Sequence, residues 1–180
     1  KISLKKYYDV NKSKYNSTNR SELQKKLIEL LEDSIRLRFR SDVPVGTCLS
    51  GGFDSSSIVS LASNSGQNNI KTFSAVWNEE SCDESYYIDI VNRAFNCSPH
   101  KIIPREDEFI DIFKSLCYYQ EIPTEGPGLY PQWYVMNEAH KKVKVLLDGQ
   151  GGDEVFGGYF QSGAYLRGLI KDKEIIKIIK

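Results

Sequence analysis

Apolar positions along this chain change their period several times, and the changes mark out helices and strands in alternation. Leu23, Leu27, Leu30, Leu31 and Ile35 recur every three or four residues, so one face of a helix reaching about Arg40 is apolar. Ser21 and Gln24 form a capping box at its start, and the helix is expected to lie against a sheet. Val45 to Leu49 (VGTCL) is by contrast short, uncharged and β-favouring, as a buried parallel strand should be. Ile58, Val59, Leu61 and Ala62 return to helical spacing, and Asn64-Ser65-Gly66 stops the run.

The alternation then repeats. Strands are predicted at Ile70 to Trp77 (IKTFSAVW), at His100 to Ile103 and at Val143 to Leu147 (VKVLL). Between them, Ser81 and Glu84 form a capping box before Tyr87, Ile90, Val91 and Ala94, and Phe109, Ile110, Phe113, Leu116 and Cys117 make another apolar helical face. A loop containing Pro123, Gly126, Pro127 and Gly128 follows, with Pro131 placed to begin the next helix, and the chain reads as helix from Phe160 onward. Strands separated by helices predict an α/β fold: a doubly wound, mainly parallel, Rossmann-like sheet with flanking helices. Residues 1–20 are polar without a sustained period and read as a linker, leaving 21–180 as the folded domain.

Composition narrows the possibilities. With 180 residues, 40% of them hydrophobic, the chain suits one domain with a real core. Lys plus Arg balances Asp plus Glu at 24 each, so no overall field favours nucleic acid or an anionic membrane. Cys48, Cys82, Cys97 and Cys117 show neither a C-x-x-C spacing nor a His/Cys cluster; they read as reduced thiols of a soluble, cytoplasmic protein. His100 reads as structural and His140 as a surface residue.

The candidate chemistry lies at strand ends. Ser50-Gly51-Gly52-Phe53-Asp54-Ser55-Ser56 joins the first strand to a helix, and its paired glycines let successive N–H groups converge on an anion. Asp54 would repel phosphate unless a divalent cation lay between them, so it is read as a Mg²⁺ ligand. The alternative is a plain βα turn with a serine-rich helix start. No Gly-Lys-Ser/Thr follows, which excludes a Walker A loop and favours chemistry at the α-phosphate over γ-phosphoryl transfer. A second glycine turn, Gly149 to Tyr159, leaves the last strand and should face the first in space. Asp153 would then be the second Mg²⁺ carboxylate; the alternative for Asp153-Glu154 is an acidic pair at a helix start.

Ser50 to Ser56 resembles the SGGxDSS pyrophosphate loop of the ATP pyrophosphatase superfamily, and Gly149-Gln150-Gly151-Gly152-Asp153-Glu154-Val155-Phe156-Gly157-Gly158-Tyr159 resembles the second signature of the asparagine synthetase family. The likeness runs from about Tyr7 to Tyr159. It implies the synthetase half of a glutamine-dependent amidotransferase: a carboxylate, most simply aspartate, attacks the α-phosphorus of ATP, and ammonia from glutamine displaces AMP from the acyl-adenylate. The resemblance further implies ATP contacts at Leu49, Ser50, Gly51, Gly52, Asp54, Ser55, Ser56, Ala75 and Gly149. It places Glu121 near the acceptor substrate and an acid such as Asp83 near phosphate and metal; Glu121 reads equally as a solvated helix-end acid, and for Asp83 the helix-start reading is the stronger. It also implies an N-terminal glutaminase domain ahead of residues 1–20, a possible homodimer, and a continuation past Lys180 that includes a lysine meeting pyrophosphate.

Two departures from the pattern bear on specificity. Asparagine synthetases commonly carry Glu, a candidate for catalytic proton transfer, where this chain has Gln150. The loop near Pro127 also lacks the arginine they present to aspartate. A same-fold ligase for another carboxylate, or a non-catalytic ATP-binding module, therefore stays open beside the asparagine-forming reading.

Overall fold

The computed structural model describes residues 3–8, 19–122, 126 and 128–159. Four strands form one all-parallel sheet in the order β3-β2-β1-β4: β1 is Val45–Cys48, β2 Lys71–Ala75, β3 Ser98–Ile102 and β4 Val145–Leu147. From β1 the chain steps outward through β2 to β3, then returns to place β4 on the other side of β1. That reversal opens a crevice between the carboxyl ends of β1 and β4, the place where open α/β sheets take their ligands.

Alternation along β2 divides the core between two faces. Phe73 and Ala75 point to one side, where they pack with Val135, Ala139 and Val143 around α5 (Leu129–Ala139), numbering helices in chain order. Val76 points to the other, joining Leu49, Val59 and Ile88 beneath α2 (Phe53–Asn64) and α3 (Ser85–Ala94). Helices on both faces make the sheet doubly wound, as the pattern predicts. Thr72 is fully buried on the α3 side because its hydroxyl donates to Asn92 at 2.6 Å, and the Ser74 hydroxyl is likewise spent on the Leu49 carbonyl at 2.6 Å. Gly46 in β1 is a close-approach residue: a Cβ there would lie 2.9 Å from the Phe73 ring and 3.0 Å from the Lys71 carbonyl.

Several expected details are corrected. Helix α1 (Arg20–Arg38) is capped by Asn19, which accepts from the Ser21 N–H, so the Ser21/Gln24 box does not form. It packs on α2, through Ile35 against Ala62 and Ile70, instead of directly on the sheet, and Leu23, Leu27 and Leu30 remain exposed. The Ser81/Glu84 box does not form either. Helix α3 starts at Ser85, and Asp83 takes up the Ser85 N–H, the Ser85 hydroxyl and the Trp77 N–H. Its inward face is Ile88, Val91 and Asn92, whereas Tyr87 and Ile90 are exposed.

Pro131 stands third in α5, still within the turn whose N–H groups lack intrahelical partners. Helix α4 (Phe109–Gln120) and a short α6 (Gly152–Phe156) complete the order. The expected helix from Phe160 onward, Pro123, Pro127 and most of the proposed linker lie outside the described residues. Among the described residues no helix is long and apolar enough to cross a membrane.

Candidate functional site

The first glycine bend is held from behind and from within. Leu49, 1% exposed, donates its N–H to Phe73 O at 2.9 Å and so carries the β1–β2 ladder one residue past the strand. Gly51 then turns at φ 84°, and a Cβ at that position would sit 3.0 Å from Tyr87 Cβ and 3.3 Å from the Ile88 N–H. Only glycine meets both demands, a left-handed backbone and no side chain. Ser55 ties the bend together: its Oγ accepts the Ser50 N–H at 3.1 Å, lies 3.0 Å from Ser50 Oγ and donates to Gly52 O at 3.3 Å. Asp54 stands in the first turn of α2, beside N–H groups that have no intrahelical partner.

The second bend meets the first. A Cβ on Gly149 would lie 3.3 Å from both Asp54 Cβ and the Ser55 nitrogen, and one on Gly152 would overlap the Asp54 carboxylate. The absence of side chains at these two positions therefore lets the bends touch across the crevice. Gly151 at φ 92° opens α6 and Gly157 at φ 73° closes it, so two left-handed glycines bracket Asp153 and Glu154. Asp153 Oδ1 is turned in against Gly158, and Glu154 accepts the Tyr159 hydroxyl at 2.9 Å. That bond raises the Tyr159 pKa above its ordinary value.

Two chambers follow. One, of about 290 Å³, is walled by Leu49, Phe73, Ala75, Trp77, Pro131 and Val135, with Glu84 on its edge. The other, of about 510 Å³, lies between the bends and contains Ser50, Gly52, Asp54, Ser55, Gly149 and Asp153. They share a border formed by Cys48, Ser50, Asp148 and Gln150. Aliphatic and aromatic side chains wall the first, while the serines and carboxylates of the bends, beside Phe53, Phe156 and Tyr159, wall the second, a division that suits a base and its phosphates. The lining is acidic: Glu84, Asp148, Asp54, Asp153 and Glu154 belong to one chamber or the other, and no lysine or arginine among the described residues does. No group of three or more His, Cys, Asp or Glu residues is placed to hold a metal, again among the described residues.

Most of the expected site residues are gathered here, and some are not. Leu49 and Ala75 line the apolar chamber; Gly52, Asp54, Ser55, Gly149 and Asp153 line the polar one; Ser50 and Gln150 line both. Gly51 serves the turn against Tyr87 and lines neither. Ser56 Oγ is buried without a partner and lines neither, so its expected role at ATP finds no support in this geometry. Glu121 is exposed at the left-handed C-cap of α4 (φ 60°) and borders neither chamber. Asp83 is committed to capping, and its bonds to Ser85 and to the Trp77 N–H hold its carboxyl below the usual range. His100 stacks on Phe73, with ring centroids 4.9 Å apart, and is structural as expected.

Sequence reasoning missed Cys48 and Asp148. Both end strands that flank the crevice, and the rule that ligands sit beyond strand carboxyl ends is the signal that could have found them. Burial first, and then the adjacent Asp148 carboxylate, push the Cys48 thiol up to about 12.

The asparagine synthase family model matches residues 26–173. Over 141 residues the chain is 40% identical to a Methanocaldococcus jannaschii protein assigned as a glutamine-hydrolysing asparagine synthetase, covering 76% of this chain and 27% of that one. Over 158 residues it is 34% identical to glutamine-hydrolysing asparagine synthetase 1 of Bacillus subtilis, covering 88% of this chain and 25% of that one. The chain thus spans about a quarter of the length of these curated relatives. Among solved structures, an NH3-dependent NAD synthetase from Campylobacter jejuni aligns with a TM-score of 0.48 and 16% identity over 75% of this chain and 60% of that one. With the family match spanning most of the sequence, including both glycine bends, the chain belongs to the asparagine synthase family.

Proposed function

We propose that this chain is the nucleotide-activating part of an AMP-forming amide ligase: it binds ATP, adenylates a substrate carboxylate with release of pyrophosphate, and passes the acyl group to ammonia derived from glutamine. The observation that carries this reading is the meeting of the two bends, with Gly149 and Gly152 packed on Asp54 over one polar chamber that continues into an apolar one. The adenine is assigned to the chamber of Leu49, Ala75 and Trp77, and the phosphates to the N–H groups of the first bend and of α2.

An acidic wall, with no lysine among the described residues, fits a polyphosphate when cations are added. Asp54 and Asp153 are the side chains offered to Mg²⁺, and phosphate oxygens would complete a shell that these residues do not fill alone. When bound, the cation would offset the charge of the departing pyrophosphate. The protein's own contribution is orientation: Ser50 and Ser55 fix the loop, and the paired glycines let its N–H groups approach the anion.

Aspartate is the simplest acceptor, and the proposed test is product analysis of the full-length protein supplied with Mg-ATP, glutamine and aspartate. The expected products are AMP, pyrophosphate and asparagine; steady formation of ADP in their place would refute the reading. A second reading, a same-fold ligase for another carboxylate, is favoured by Gln150 on the border of both chambers, where its carboxamide cannot transfer a proton. Pyrophosphate release across a panel of sugar and peptide carboxylates separates the two.

A further inference from the structure

If the base lies in the apolar chamber and the phosphates in the polar one, the reacting acyl group lies on their shared border. A nitrogen attacking an acyl-adenylate becomes ammonium-like as its bond to carbon forms. Unless it sheds a proton, it leaves again in place of AMP, so a proton acceptor on that border is required.

Among the described residues four border both chambers, and three of them carry poor acceptors. Gln150 carries a carboxamide with no basic atom. The Ser50 hydroxyl is engaged with Ser55 Oγ at 3.0 Å. Cys48, its thiol pushed up to about 12 by burial and by its carboxylate neighbour, stays protonated. The fourth is Asp148. Its Oδ1 accepts the Gln150 N–H at 3.3 Å, so the carboxylate is steadied by its own bend. An aspartate accepts about four hydrogen bonds, so most of that capacity is left.

Among the described residues, the other titratable groups, Tyr159 included, line one chamber only. Asp54 of α2 and Asp153 and Glu154 of α6 line only the polar chamber, Glu84 before α3 lines only the apolar one, and no His, Lys or Arg lines either among the described residues.

We propose that Asp148 is the proton acceptor of the amide-forming step. The nitrogen lone pair forms the N–C bond, the C–O bond to AMP breaks with its electron pair leaving on AMP, and one N–H proton passes to the Asp148 carboxylate. The assignment rests on the adenylating reading above.

The test uses the full-length protein and separates its two half-reactions. Asp148→Asn should keep carboxylate-dependent ATP–pyrophosphate exchange, with aspartate as first probe, within about threefold of wild type, while single-turnover amide formation falls roughly 10²- to 10⁴-fold. Asp148→Glu should recover part of the loss. Because exchange is retained, the variant is shown to be folded by the same assay. Exchange and amide formation falling together would make Asp148 a substrate-binding group and overturn the assignment, as would unchanged amide formation. A wild-type protein that exchanges with neither aspartate nor the carboxylate panel overturns the ligase reading itself, and this assignment with it.

Discussion

The two glycine bends close on the same crevice, yet the protein holds them very differently. Behind the first lies a twelve-residue helix whose Val59 and Ala62 are wholly buried, and the bend itself is cross-tied through Ser55. Behind the second lies a three-residue strand, half-buried at the sheet edge, and it leads into a five-residue helix with no buried residue, where Val155 is 75% exposed. One is a cradle built into the core; the other is a surface flap resting on it by its glycines.

The comparison can be broken most severely at the acids. Asp54→Ala and Asp153→Ala should each cut ATP–pyrophosphate exchange by roughly 10²- to 10³-fold, the scale of losing a charge-stabilising group. A large loss at Asp54 with none at Asp153 would show that the flap supplies no acid to the phosphates.

Next come the glycines. Gly152→Ala forces a methyl into the Asp54 carboxylate and should lower exchange at least tenfold while leaving the melting temperature within about 1 °C, since the flap can swing away. Gly51→Ala has no such escape, because its φ of 84° and its backbone neighbour at 3.3 Å belong to the core side. It should cost activity together with about 1–3 kcal/mol of stability, read by urea unfolding.

Stability alone sharpens the contrast further. Val59→Ala should cost about 2 kcal/mol in urea unfolding, whereas Val155→Ala, exposed on α6, should cost less than about 0.5 kcal/mol. Equal losses would erase the distinction between core and flap.

The smallest expected effect is a pH dependence at His100, which stacks on Phe73 on the α5 face of the sheet. Burial, and then Lys142, hold the His100 pKa below its ordinary 6.5, and its buried Nε2 has no partner to receive a proton's hydrogen bond. A folded-state pKa below the unfolded one means the stabilising contribution is present above about pH 6.5 and is lost as pH falls through the folded value. The urea midpoint should therefore drop modestly between pH 7 and pH 5. His100→Gln should flatten that slope; an unchanged slope would remove His100 from the account.

Much of this arrangement was legible in the amino-acid sequence, because its signals are local. Val45 to Leu49, the helical spacing of Val59 and Ala62 and the glycine stops mark β1, the first bend and α2 without reference to any other segment. Local competition, however, misled the reading of caps: Asn19 and Asp83, one or two residues from the expected boxes, captured the N–H groups instead, and a one- or two-residue shift rotates which apolar side chains face inward. Ser56 and Glu121 are expected at the site from a motif and from a family resemblance respectively, whereas in the fold the Ser56 hydroxyl is buried and Glu121 is the exposed C-cap of α4.

The sequence by itself determined the elements, their order and the two bends, since strand, turn and helix preferences act over a few residues. Only tertiary structure decided that β4 lies beside β1, that Gly152 rests on Asp54, and that Cys48 and Asp148 border both chambers. These are contacts between residues about a hundred positions apart, and what fixes them is the packing of helices on both faces of a parallel sheet, a property that no short stretch of chain carries.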